Sequence, residues 1–252
     1  MPGDAKPAAV NLSEAKLIQA LGSMSTATLT SVLIKKGVRN VFMRSSRPLA
    51  AGQPRCCGRA FTLRFVPARE DLATPQALAS ATSTRTAIEA MPAGSVAVVD
   101  AMGCTEAGIF GDILCARMMK RGVAGLITDG VVRDRAGVLA TGLPVWCQGS
   151  AAPPSFASLT FVAWQQPIGC GGVAVLPDDM VVADGDGAVV IPAALVADVV
   201  AAAVEQERLE AWILREVAAG QSLPGLYPPN AANWARYAAA MAADGSPRGE
   251  AD

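Results

Sequence analysis

"SVAVVDAMGCTEAGIFGDILCARMMKRGVAGLITDGVVRDRAG", residues 95–137, decides the fold class. The run Ser95–Asp100 is apolar and β-branched, the mark of a buried strand. A glycine-bearing loop follows, and the residues from Asp112 to Lys120 predict a helix that Gly122 ends. A second buried strand is predicted over 123–128, then an Asp129-Gly130 turn and a short helix near 134–141. This β-α-β-α order predicts parallel strands with helices packed on the sheet, and ligands gather at the carboxyl ends of such strands.

Outward from this unit the chain changes character twice. Towards the N-terminus, Ser13 and Ser25 or Thr26 are placed to cap two helices, over "EAKLIQAL" and "ATLTSVLIKK", the second ended by Gly37. "GRAFTLRFV" reads as a strand. "TPQALASATSTRTAIEA" reads as a helix with Thr74 as cap and Pro75 in its first turn. Towards the C-terminus, "LPVWCQG", "TFVAW", "GGVAVLP" and "MVVADGDGAVVIP" are short strands separated by Gly, Pro and Asp-Gly turns. The DGDG run at 184–187 lacks calcium-loop spacing and reads as a hairpin turn. A long helix is predicted over 193–218, with one apolar stripe whose phase slips near 205–208. A short helix follows around Trp234 to Met241. The expected organisation is a flexible N-terminus over 1–11, a single domain over 12–219, and a C-terminal extension over 220–252 whose end is disordered.

Composition excludes several classes of function. Lys plus Arg number 21 against 22 Asp plus Glu, so no strong field favours nucleic acid or an anionic membrane. There is no run of about eighteen apolar residues to span a bilayer and no secretory signal pattern at the start, so a soluble, cytoplasmic protein is expected. Six cysteines without a C-x-x-C pair predict reduced core thiols. The chain has no histidine, which removes imidazole bases, His-activated nucleophiles and His-based zinc sites. None of the five lysines looks desolvated enough for Schiff-base chemistry. Chemistry must then rest on carboxylates, Arg, backbone amides or a hard metal.

Both loops that leave the central strands point to one edge of the sheet. One carries Gly111 and Asp112 at a helix start, where the amides of Ile113 and Leu114 could bind a small carboxylate. The other carries Arg133, a planar donor fork for a carboxylate or keto oxygen, and Asp134, an oxygen ligand suited to a Mg²⁺ ion that keeps most of its waters. The set suits a 2-oxo acid. The same residues admit a plain structural reading. Asp112 would be a helix-dipole acid and Arg133-Asp134 a surface ion pair worth roughly 0–1 kcal/mol. For Asp129 the plain reading, a turn residue, is preferred.

Asp112, twenty intervening residues, then Arg133-Asp134 resembles the pattern of the class II pyruvate aldolases that cleave 4-hydroxy-4-methyl-2-oxoglutarate and 4-carboxy-4-hydroxy-2-oxoadipate. That superfamily also includes the regulator of ribonuclease activity A. The resemblance extends over about residues 12–218, through "STATLTSVLIKKG", "RPLAAGQPRCCGRAFTLR", "GDILCARMMKRGVAGLITDGVVRD" and "CGGVAVLPDDMVVADGDGAVVIP". It implies an α/β fold, an α/β/α sandwich resembling a swivelling phosphohistidine domain, assembled as a homotrimer or homohexamer. It also implies roles. Asp134 would contact Mg²⁺ or Mn²⁺, and Arg133 would bind the pyruvyl oxygen and stabilise the enolate. Asp112 would hold a water for proton transfer, and amides at Ile113 and Leu114 would take the carboxylate. A glutamate from a neighbouring subunit's C-terminal helix, Glu207 or Glu210, would complete the site. The implied activity is retro-aldol cleavage of a 4-hydroxy-2-oxo acid to pyruvate, with oxaloacetate decarboxylation as a side activity. A non-catalytic regulator binding a ribonuclease-type partner and a lyase for a sugar-derived oxo acid are the alternatives. Four features depart from the family: "PDD" at 177–179 in place of "PGD", Ser31 where an Asp is usual, a longer insert around 66–90, and a C-terminal tail.

Overall fold

The computed structural model describes residues 13–74 and 76–243. The expectations for residues 1–11, for Pro75 and for the last nine residues lie outside that range. Two helices open the chain, α1 (Glu14–Ser23) and α2 (Thr26–Lys35), followed by two short strands, β1 (Phe42–Met43) and β2 (Arg47–Pro48), and one long one, β3 (Cys56–Pro67). The helix α3 (Thr84–Ala90) leads into the unit read from the sequence: β4 (Val96–Asp100), α4 (Asp112–Lys120), β5 (Gly125–Thr128) and α5 (Arg135–Ala140). Then come β6 (Val145–Cys147), β7 (Leu159–Trp164), β8 (Ile168–Cys170), β9 (Val173–Val175), β10 (Met180–Ala183) and β11 (Ala188–Ile191). The helices α6 (Val196–Ala218) and α7 (Ala231–Ala243) close the described chain.

Among the described residues, nine strands form one sheet ordered β1-β11-β10-β3-β4-β5-β6-β2, with β7 paired to β3. β3 joins its two halves. Cys56–Arg59 pair antiparallel with β10, while Ala60–Arg64 pair in parallel with β4. β4, β5 and β6 continue in parallel, as the β-α-β-α order predicts.

Side-chain alternation explains the curl of this sheet. Along β4, Val96 and Val98 join one core cluster and Ala97 and Val99 another. Along β10, Val181 and Ala183 share the cluster of Val96 and Val98, while Met180 and Val182 turn to a third. Because successive residues of a strand face opposite sides, the two halves of the sheet must face each other across the shared cluster. Trp146, fully buried, sits in that cluster and donates its indole N–H to the Asp184 carbonyl at 2.7 Å, tying the halves together. Helices α3, α4 and α5 lie outside the parallel half, and α1, α2 and α6 outside the antiparallel half.

Two elements differ from the sequence reading. Residues 74–90 do not form one helix: a single 3-10 turn (Ala77–Ala79) precedes α3. Gln76, not Thr74, stands at the cap position of that turn, and Thr74 Oγ1 accepts from the Ala77 amide at 3.3 Å. The Ser- and Thr-rich segment between offers side-chain oxygens that compete with helical hydrogen bonding, and Ser83 restarts the helix by accepting from the Thr86 amide. In α1, Ser13 stands at the cap position but makes no side-chain cap bond, whereas Ser25 caps α2 through the Thr28 amide. The slip in the stripe of α6 has a structural cause. Val196, Val199, Val200 and Ala203 pack into the main fold, while Leu209, Trp212 and Ile213 pack with Leu226 and Tyr237 in a separate cluster under α7. Among the described residues no single helix is long and apolar enough to cross a membrane.

Candidate active site

The loops that follow β4 and β5 are laced together. Gly108 bridges Val131 in parallel, the Ile109 amide donates to the Val131 carbonyl at 2.9 Å, and the Arg133 amide donates to the Phe110 carbonyl at 2.9 Å. This short ladder carries Asp112, at the start of α4, to Arg133 and Asp134, at the start of α5. Two glycines stand at the junction. A Cβ on Gly108 would stand 2.5 Å from the Arg133 amide nitrogen, and one on Gly111 would stand 2.6 Å from Asp134 Oδ2. Both lie closer than a real Cβ contact permits: a side chain at Gly108 would push the two loops apart, because it meets backbone, whereas one at Gly111 would displace the Asp134 carboxylate. The far side of Asp112 rests on α5, where a Cβ on Gly137 would meet its Cβ at 2.8 Å.

Asp134 holds the N-cap position of α5 yet makes no side-chain cap bond. Its backbone is left-handed, with φ of 51°, a conformation that Asp tolerates at some cost. The carboxylate turns instead to Arg133, whose Nε–H donates to Oδ2 at 3.0 Å. Asp112 Oδ1 accepts from the Ile113 amide at 2.7 Å. Among the described residues Asp134 Oδ1 and Asp112 Oδ2 carry no hydrogen bond, so each carboxylate keeps one uncommitted oxygen. The Ile113 and Leu114 amides precede the first i→i−4 bond of α4, which Cys115 makes to the Gly111 carbonyl, and belong to the group that a helix start leaves for a ligand.

These residues line one cleft of about 280 Å³, which contains Gly111, Asp112, Ile113, Leu114, Arg133 and Asp134 together. Its opposite wall was not foreseen. Thr84 and Arg85 come from the start of α3, and Pro154, Ser155 and Phe156 from the turn before β7. Glu207 and Glu210 do not join the cleft in their own chain. Both stand on α6 (Val196–Ala218), outside the residues that line it. Glu207 accepts from the Ser25 amide at 3.0 Å, and Glu210 from Gln206 Nε2 at 2.6 Å.

Asp129 is more than a turn residue. It is buried, and its carboxylate accepts from the Ala101 amide at 2.8 Å and the Gly171 amide at 3.2 Å, joining the ends of β4 and β5 to the β8–β9 hairpin. Burial pushes its pKa above the usual carboxylate range, against those two donors. Buried thiols resist ionisation. Burial raises Cys115 to about 12, helped by the negative charge of Asp112, and Cys57 also to about 12. All six cysteines are free, and none is among the residues that line the cleft.

Among the described residues no three His, Cys, Asp or Glu side chains gather in ligating geometry. The cleft could hold a divalent cation through the uncommitted carboxylate oxygens, Asp134 Oδ1 and Asp112 Oδ2. Magnesium tolerates that arrangement, because it gives up its waters reluctantly and often takes only one or two carboxylates.

A curled mixed sheet flanked by helices, with two carboxylates and an arginine at the ends of its parallel strands, defines an α/β protein with a cleft at one edge of its sheet. The chain belongs to the RraA-like family described as Aldolase/RraA, which matches residues 12–190. It is 41% identical over 106 residues to a Halalkalibacterium halodurans protein whose name proposes a 4-hydroxy-4-methyl-2-oxoglutarate aldolase, covering 41% of this chain and 49% of that one. It is 28% identical over 207 residues to protein DlpA of Legionella pneumophila, covering 82% of this chain and 32% of DlpA. The chain thus spans about a third and about half of the lengths of these two relatives. Among solved structures it is similar to Streptomyces coelicolor RraAS2, described as an unusual member of the RNase ES inhibitor RraA family. The TM-score is 0.72 at 34% identity, covering 79% of this chain and 96% of that one. A protein from Pseudomonas syringae pv. tomato superposes with a TM-score of 0.73 at 26% identity, covering 84% and 97%.

Proposed function

We propose that the protein is a carbon–carbon lyase that cleaves a 4-hydroxy-2-oxo acid to pyruvate and a second oxo compound. The observation that carries this reading is the meeting of Asp112, Arg133 and Asp134 around one cleft at a helix N-terminus. A surface ion pair would need neither the glycine, Gly108, that lets the loops approach nor a cap-position Asp turned away from its own helix.

In this reading the substrate carboxylate docks on the Leu114 and Ile113 amides. The Ile113 amide is already taken by Asp112 Oδ1, so docking turns the Asp112 side chain and frees that oxygen to hold a water. Arg133 donates to the 2-oxo oxygen, where negative charge develops as the C3–C4 bond breaks. The C4 hydroxyl proton leaves to the water held by Asp112, the electron pair of the broken bond passes into the pyruvyl enolate, and the same water returns a proton to C3. A magnesium or manganese ion on Asp134 would add a second positive charge beside the 2-oxo acid. Fixed charge placed where an anion forms is usually the largest contribution to such a rate. Decarboxylation of oxaloacetate passes through the same enolate and belongs to the same site.

The family setting supports a trimer or hexamer in which Glu207 or Glu210 of a neighbouring copy reaches this cleft. The likeness to RraAS2 favours a second reading, a regulator that binds a ribonuclease-type partner without catalysis. Pyruvate release from oxaloacetate and from a panel of 4-hydroxy-2-oxo acids separates the two. The lyase reading expects turnover that EDTA abolishes and Mg²⁺ restores, while no release from any panel member leaves the regulator.

A further inference from the structure

A second cavity, of about 50 Å³, lies beside the cleft and shares Thr84, Ser155 and Phe156 with it. Its floor is aromatic and aliphatic. Phe65 and Leu159 are buried, and Phe161 meets Phe65 edge to face at 5.2 Å. Its roof is the insert, through Leu72, Ala73 and Ala77. The insert is pinned rather than loose. The Ala68 amide donates to the Ser158 carbonyl at 2.9 Å, the Arg69 amide to Thr160 Oγ1 at 3.0 Å, and the Ala73 amide to the Arg69 carbonyl at 2.8 Å.

Several polar groups in the lining are already engaged. Thr160 Oγ1 is taken by Arg69, Ser83 Oγ accepts from the Thr86 amide, and the Thr82 carbonyl accepts from Ser80 Oγ. The larger part of the inner surface is apolar. Cavities so lined favour apolar guests over water. Phe156, half exposed, stands where the two spaces meet.

We infer that the insert builds a specificity compartment for a short aliphatic group, of roughly two to four carbons at this volume, carried on the far side of the substrate from its 2-oxo carboxylate. This inference rests on the oxo-acid reading of the cleft. The compartment prefers an alkyl-substituted oxo acid over one that places a second carboxylate there, because burying an unpaired charge against this lining is costly.

The test is calorimetric binding, in the presence of Mg²⁺, of pyruvate, 2-oxobutanoate, 2-oxopentanoate and 4-methyl-2-oxopentanoate to the full chain. Affinity is expected to rise by about fourfold for each methylene buried. Ala77→Leu and, separately, Ala73→Leu fill the compartment, and circular dichroism checks that each remains folded. Either variant is expected to flatten the gradient to within about twofold of the pyruvate affinity, with pyruvate binding itself unchanged. A flat series in the unmodified protein, or a gradient that survives both substitutions, overturns the inference. Arg133→Ala serves as the separate control. If it leaves pyruvate affinity unchanged, the oxo-acid reading of the cleft falls, while the gradient and its loss on filling still decide the compartment.

Discussion

Asp112, Arg133 and Asp134 were legible from the chain because each sits at the end of one β-α unit, and consecutive units of a parallel sheet place those ends on one edge. Sequence cannot show which way a side chain turns. Asp134 occupies a cap position, and only its left-handed backbone and its bond to Arg133 reveal that it serves the cleft. Asp129 was misjudged for a related reason. An Asp-Gly pair after a strand predicts a turn, but the donors that bury this carboxylate, Ala101 and Gly171, lie 28 and 42 residues away. Its pKa sits above the ordinary 3.8, so the folded state binds this proton more tightly than the unfolded chain does. Its contribution is most favourable below pH 3.8 and declines as pH rises through the raised folded value. Denaturant melts between pH 3.5 and pH 6.5 are expected to show the natural protein losing stability relative to Asp129→Asn across that window. A constant difference would mean that the carboxylate is not perturbed.

At the scale of elements, long periodic segments such as α4 and α6 could be read, whereas segments held by distant partners could not. The insert lacks a helical stripe because its residues answer to the wall of the second cavity rather than to a helix face. The hairpin at 184–187 was recognised as a turn, but its second task was hidden. Asp184 accepts from the Thr26 amide and hydroxyl, both at 2.8 Å and 158 residues away, and from the Asp186 amide at 3.0 Å. Partial burial works against this carboxylate, yet the Thr26 and Asp186 donors and the Arg55 charge outweigh it and hold its pKa below the usual value. Asp184→Ala is expected to cost about 2–4 kcal/mol, because it orphans donors at the start of α2. The depressed pKa means that this stability is present above the unfolded value and is lost as pH falls through the folded one. Chemical denaturation at pH 7 and pH 3 checks both, and a loss equal at the two pH values would contradict the assignment.

Across the whole molecule, the helices outside the two sheet halves, and the strands between them, share three large clusters, but the second half of α6 and α7 form a fourth that touches little else. Local opening follows local packing. Backbone amides of α7 are expected to exchange with deuterium well before those of β4 and β5, and equal protection would show that the C-terminal pair unfolds only with the sheet. The cleft lies on the parallel half, and Glu207 and Glu210, on α6, do not line it. The central claim is that Arg133 steadies an enolate in the cleft it shares with Asp112 and Asp134. Its most direct test is the steady-state rate of pyruvate formation from oxaloacetate with saturating Mg²⁺, for the natural protein and for Arg133→Ala. We predict a loss of kcat of about 10²–10³-fold, and an unchanged rate would contradict the account.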